Sequence, residues 1–168
     1  MIVLIPIDYK SMKLTVLIAT VLLLTACGFH LRGDSKIMAE FNPLFLEQGQ
    51  LSADQMRRVR DSLKQAEAKF ATSAITANKL KLKLTPLKTR TLVDSTTGGV
   101  ELIQLAMRID FSVIQADGTI LIEQSLEQAQ EVQLDTSNVL SQESVLKTNR
   151  EVLEKNLLRS MIFQLSNR

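Results

Sequence analysis

The strongest pattern in the chain is an alternation. Ile103, Leu105, Met107, Ile109, Phe111 and Val113 are separated one by one by Gln104, Ala106, Arg108, Asp110 and Ser112. A period of two sends one set to a buried face and the other to the opposite face, as in a long half-buried strand. Upstream, Leu80, Leu82 and Leu84 alternate in the same way with Lys79, Lys81, Lys83 and Thr85. Pro86 then removes a ladder donor, so continuation through Leu92 requires an edge or a bulge. Asp94 to Gly99 is a turn-rich loop. On the other side of the long strand, Ala116-Asp117-Gly118-Thr119 closes a hairpin, because Asp-Gly supplies the positive backbone angles of tight turns. The strand that starts at Ile120 sets Ile120, Ile122 and Leu126 against Glu123, Ser125, Glu127 and Glu131. Its glutamine-rich end is expected to fray or to outrun its neighbour.

Two segments change period. Ser52-Ala53-Asp54-Gln55 is a capping-box pattern, with a serine hydroxyl for a first-turn amide and a glutamine reaching back. After it Met56, Val59, Leu63, Ala66 and Phe70 recur at three- and four-residue steps, while Arg57, Arg58, Arg60, Lys64 and Glu67 fall on solvated faces. Near the C-terminus Leu146, Leu153, Leu157, Met161 and Leu165 form a second apolar stripe, widened by Val145, Val152, Leu158 and Ile162. That helix is expected to come after a polar connector, Asp135 to Ser144, to take Ser141 or Ser144 as its cap, and to run to about Gln164. A brief first strand is read at Asn42 to Glu47, held to an edge or an opening position by Pro43. The predicted fold is therefore α+β, in the order β-α-β-β-β-α: a four-stranded sheet with both helices packed on one face.

Length and charge narrow the function. At 168 residues the chain fits one core domain, and with 45% hydrophobic and 23% charged residues it is not of the disordered class. Of 20 basic and 18 acidic side chains, residues 1–26 hold Lys10, Lys13 and Asp8; the remainder carries a net charge of only +1. With no Trp and one Tyr there is neither a cationic excess nor a stacking platform, so nucleic acid is not an expected partner.

The N-terminal region is different in kind. Between Lys13 and Cys27 runs LTVLIATVLLLTA, uncharged and preceded by basic residues and by Met12, a second plausible start. The run matches a secretory h-region and is shorter than the ~20 residues of a bilayer span. Residues 1–26 therefore read as a cleaved signal peptide, and 41–168 as a single domain joined to it by 27–40. Leu24-Thr25-Ala26-Cys27 resembles the lipobox of bacterial lipoproteins, in which the cysteine becomes residue one and carries acyl chains. A lone cysteine suits that role, since it has no disulfide partner. Two or three acyl chains make a permanent tether. The alternative is an incidental thiol in an uncleaved segment.

The residues just after Cys27 carry a more specific signal. Phe29 and Leu31 alternate with His30 and Arg32, so an extended segment would be apolar on one side and polar on the other. The bland reading of His30 is a solvated or backbone-bonded side chain. Cys27-Gly28-Phe29-His30-Leu31-Arg32 nonetheless resembles the opening of the LptE family, the lipopolysaccharide-assembly lipoproteins of Gram-negative outer membranes. The order of elements agrees with that family's fold across nearly the whole chain after the signal. The resemblance implies a protein anchored in the periplasm-facing leaflet of the outer membrane, seated in the LptD β-barrel as plug and partner, and assisting lipopolysaccharide delivery. Gly28, rather than Asp, after the cysteine is similar to lipoproteins forwarded to the outer membrane.

Little points to catalysis. His30 is the single histidine, Cys27 is assigned to the anchor, and no phosphate loop, metal-ligand cluster or nucleophile elbow occurs in the sequence, so neither cofactor nor metal is expected. Glu123, Glu127 and Glu131 lie on an exposed strand face and are read as ordinary solvated carboxylates. The candidate contacts are Lys79, Lys81 and Lys83, with Lys88 and Arg90 beyond them. They either face anionic lipopolysaccharide or protect a strand edge. Family members are implicated in contact through basic residues near the loop between the second and third strands, but Asp94 to Gly99 has none. The other readings are a free-standing periplasmic lipoprotein, acting as a pilotin-like chaperone or small-ligand carrier, and a cell-wall enzyme.

Overall fold

The computed structural model describes residues 36–93 and 99–167. The signal segment, Leu24 to Arg32 with Cys27, and the loop residues 94–98 lie outside the described residues. After a single 3-10 turn at Ala39–Phe41 come β1 (Leu44–Leu46), α1 (Ala53–Gln65), β2 (Asn78–Pro86), β3 (Arg90–Val93), β4 (Val100–Ile114), β5 (Ile120–Asp135) and α2 (Val139–Ser166).

β4 is the strand whose alternation dominates the sequence, and it is the centre of the sheet. β5 pairs antiparallel along one side of it, from Val100 opposite Asp135 to Val113 opposite Ile122. On its other side β2 and β3 succeed one another along the same edge, and β1 runs parallel to the start of β2. The sheet thus has five strands rather than four. The cause is Pro86: it faces Met107, the Leu87 N–H still donates to the Ala106 carbonyl, and the ladder then lapses until Arg90 rejoins opposite Gln104. A bulge lies between Thr91 and Val93.

The inward face of β4, Ile103 to Val113, is buried together with Leu80 and Leu82 of β2 and with Val59 and Leu63 of α1. Leu153, Leu157, Leu158, Met161 and Leu165 of α2 complete the same cluster, so both helices cover one sheet face. Each such side chain contributes about 1.5–3 kcal/mol on leaving water. Upstream of the first strand, Ile37 and Phe41 are also buried in this core.

β5 departs from the sequence expectation. It does not fray: Val132 and Leu134 are buried and pairing reaches Asp135. Gln128 and Gln130 belong to the covered face, where their amides donate to Ser160 Oγ (3.1 Å) and Asn149 Oδ1 (2.6 Å) of α2. Ile120, placed by pattern on the apolar side, is 56% exposed because a register shift between Val113 and Ile114 displaces it.

The capping box forms as expected. The Gln55 N–H donates to Ser52 Oγ and the Ser52 N–H to Gln55 Oε1. α1 stops at Gln65, however, and Phe70 lies beyond it, bridged to Leu44. The Ala68 N–H donates to Leu63 O and the Glu67 N–H to Lys64 O, the two bonds of a Schellman stop. Glu67 takes the left-handed position, at φ +56°. α2 begins five residues before Ser144, because Asn138 caps it by accepting from the Ser141 N–H. The first two turns lack an apolar stripe, which hid them from periodicity.

Gly118 holds the hairpin turn at φ +92°. Hydrogen bonds from the Thr119 backbone and side chain hold the Asp117 carboxyl below its ordinary value, and Ser137 does the same for Asp135. Their depressed folded values mean that this stabilisation is complete above pH ~4 and fades as pH falls through them. A carboxyl NMR titration should place the Asp117 midpoint below ~3.9; a midpoint at or above that value contradicts the turn hydrogen bonds. Glu67→Gly should relieve the left-handed strain and stabilise the fold by about 1 kcal/mol, read as a higher urea midpoint. The exposed Lys36–Glu67 pair it removes is worth less than that.

Candidate functional site

The sheet face not covered by helices is where the predicted contact residues lie. Strand geometry turns Leu80 and Leu82 into the core and projects Lys79, Lys81 and Lys83 outward, with about 6.7 Å between successive lysines. Register then sets Lys83 opposite Asp110 and Lys81 opposite Ser112 on β4. Those residues are opposite Ser125 and Glu123 on β5, while Arg108 faces Glu127. The outer face is thus three columns: cationic on β2, mixed on β4, anionic on β5.

The columns neutralise one another locally. Lys81 Nζ lies 3.8 Å from Glu47, Arg108 lies 3.5 Å from Asp110, and Ser125 Oγ donates to Asp110 Oδ1 at 2.6 Å. These side chains are about half exposed, so solvent screens each ion pair and it stabilises by about 1 kcal/mol or less. An open depression of about 600 Å³ lies on the part of the face nearer the β4–β5 hairpin, its lining including Glu47, Lys81, Lys83, Asp110, Ser112 and Glu123. Its balanced lining suits hydrogen-bonding and zwitterionic surfaces better than a bare phosphate. Lys88 is exposed in the gap between β2 and β3. Arg90, opposite Gln104, stands six residues along β4 from the level of Lys83, or about 20 Å. The five cations therefore do not converge on one anion.

A different pairing links the helices. Arg58 Nε and Nη2 donate to Glu154 Oε1 and Oε2 at 2.8 and 2.9 Å, and Glu154 is 4% exposed. This hydrogen bonding raises the Arg58 pKa further above its already high value. The sequence reading put Arg57, Arg58 and Arg60 alike on solvated faces. Arg57 does pair in solvent with Asp54, and Arg60 lies 5.9 Å from the Phe70 ring, but Arg58 is a clamp. One signal was available: Glu154 is three and four residues before Leu157 and Leu158, on the apolar stripe itself.

The two ends of the unit differ. The Ile37 N–H donates to Ala66 O, and the Met38 N–H donates to Leu165 O, so the chain enters at the C-terminal ends of α1 and α2. At the opposite end of α2, about 42 Å away for 28 residues, Val139 and Leu140 are exposed. Leu92, Val93 and Val100, flanking the loop, are exposed there too, and the Thr136 N–H donates to Gly99 O to tie this tip together. Among the described residues no helix is long and apolar enough to cross a membrane.

Two helices on one face of a mixed sheet, with a charged face opposite and an apolar tip, make up a small α+β module. Solved structures that this chain resembles include bacterial lipoproteins. A minor lipoprotein from Acinetobacter baumannii superposes with a TM-score of 0.62 at 16% identity, covering 75% of this chain and 91% of that one. An uncharacterized lipoprotein B from Nitrosomonas europaea gives 0.63 at 17%, over 83% and 90%. The rare lipoprotein B from Shewanella oneidensis gives 0.61 at 19%, over 73% and 92%. No family model matches the chain, and no curated protein matches it in sequence.

The clamp makes an asymmetric prediction. Arg58→Met strands a buried carboxylate and should cost about 2–4 kcal/mol. Glu154→Leu should cost less, since Arg58 is 43% exposed and can turn to water. The double variant should recover most of the loss. Urea titrations of the three proteins decide it, and equal, additive losses would exclude a clamp.

Proposed function

We propose that this chain is an outer-membrane lipoprotein of the LptE kind, acylated at Cys27, that plugs and supports an LptD-like β-barrel and assists lipopolysaccharide assembly at the outer leaflet. The observation that carries the reading is the polarity of the folded unit. Its N-terminal segment enters at one end, and its exposed apolar tip lies about 42 Å away at the other. Acyl chains at the first end hold the unit at the periplasm-facing leaflet, which raises its effective concentration at a barrel mouth. The tip then leads into the lumen, and the charged outer sheet face meets a polar barrel wall. The Cys27-to-Arg32 motif and the lipoprotein relatives in fold support the same assignment.

The work done is binding, with no catalytic step, cofactor or metal. Lys79, Lys81 and Lys83 contact the barrel wall or polar lipopolysaccharide groups as part of a balanced face, and Lys88 and Arg90 do so nearer the tip. A free-standing pilotin-like protein or small-ligand carrier fits less well: the depression on the sheet is open and lined mainly by charged and polar side chains.

The test is depletion of the protein while newly made lipopolysaccharide is followed to the surface. Delivery should fall and a tagged copy should retain one very large barrel protein on purification. Normal delivery together with normal barrel assembly overturns the proposal. Cys27→Ala should abolish acylation and release a soluble, folded chain whose melting temperature matches that of the wild type.

A further inference from the structure

Strand edges that face water are normally guarded by lysines, prolines, bulges or short length. One edge of this sheet obeys that rule. Beyond the three residues of β1, β2 presents Lys81 and Lys83 and ends at Pro86, after which the column breaks before β3.

The other edge does not. β5 has sixteen residues and contains no proline, glycine, lysine or arginine. Its register to β4 is unbroken from Ile122 to Asp135, a run of about 45 Å along the strand. Among the described residues, no backbone group from Ile122 to Leu134 pairs on the side away from β4. α2 reaches β5 from its inner face, through Gln128, Gln130 and Val132, and leaves the edge open.

The side chains beside that edge are patterned. Glu123, Glu127 and Glu131 recur every fourth position on the outer face, all exposed, while the inner positions carry Gln128, Gln130, Val132 and Leu134. In an antiparallel pairing of two copies, opposed residues share a face. Any register that overlaps the centre of β5 and joins the two outer faces then sets carboxylates of one copy opposite or diagonal to those of the other. Like charges at those positions repel, so the edge rejects itself. A strand with cations on the same face turns the repulsion into attraction.

We infer that the β5 edge accepts, by strand addition, an extended segment of a partner protein that carries Lys or Arg on its outward positions and apolar or amide residues on its inward ones. A closed barrel wall has no free edge to offer, so the occupant is a loop or terminal segment, and the inference does not depend on the barrel assignment.

The test uses the detergent-solubilised full-length chain and three labelled eleven-residue peptides: alternating Val and Lys, alternating Val and Glu, and the Val/Lys peptide N-methylated at alternate amides. Fluorescence anisotropy reports binding, and amide hydrogen exchange locates it. The Val/Lys peptide should bind at least about tenfold more tightly than the Val/Glu peptide, given three cross-strand charge pairs. It should slow exchange along Ser125 to Gln133, and the N-methylated peptide should do neither. The triple variant Glu123→Lys, Glu127→Lys, Glu131→Lys should stay folded, melting somewhat lower because the new cation at 127 faces Arg108, and should reverse the order of the two unmethylated peptides. Equal binding of the N-methylated and unmodified peptides would reduce the effect to charge adhesion and overturn the inference. So would unchanged β5 exchange, or sedimentation showing that copies of the chain pair through this edge instead.

Discussion

The constraint on which everything else rests is the pairing of β4 with strands on both of its sides. The alternation from Ile103 to Val113 gives it one face of Ile, Leu, Met, Phe and Val and an opposite face of Gln, Ala, Arg, Asp and Ser. Both helices are held because that apolar face must be covered, and the charged columns exist because the other face is left to water. A shift of one residue in its register would exchange the two faces along the whole strand, which is why this element fixes the orientation of every other.

Periodicity is legible where a segment has one buried face and one solvated face, and the successes obey that rule. β4, the inward leucines of β2 and the α1 stripe from Met56 to Leu63 all have it. The capping box at Ser52 and Gln55 was equally plain, because its bonds are local. The failures also have causes. Gln128 and Gln130 are polar in composition but packed in position, since α2 offers them Ser160 and Asn149. No local pattern announces partners that lie 32 and 19 residues away. The Arg58–Glu154 clamp spans 96 residues, so a glutamate on the apolar stripe of α2 hints at a buried partner without saying which residue it is. The first turns of α2 carry only a cap, with little apolar stripe, so the helix read short.

The candidate surface was half legible. Alternation alone places Lys79, Lys81 and Lys83 on one face of β2. What they meet depends on register, which brings Asp110, Ser112 and Glu123 alongside and converts a cationic row into part of a balanced surface. That difference separates a phosphate cradle from a charge-balanced face. The tip was not legible at all, because Leu92, Val93, Val100, Val139 and Leu140 come from three separated segments that only the fold gathers.

The bonds at Ile37 and Met38 have a mechanical meaning. Any tension arriving from the N-terminal side passes through two adjacent amides into the last carbonyls of α1 and α2 together. Load is therefore shared between two rods already bolted to each other by a guanidinium–carboxylate pair. This end of the domain therefore yields only when both helix ends give way together.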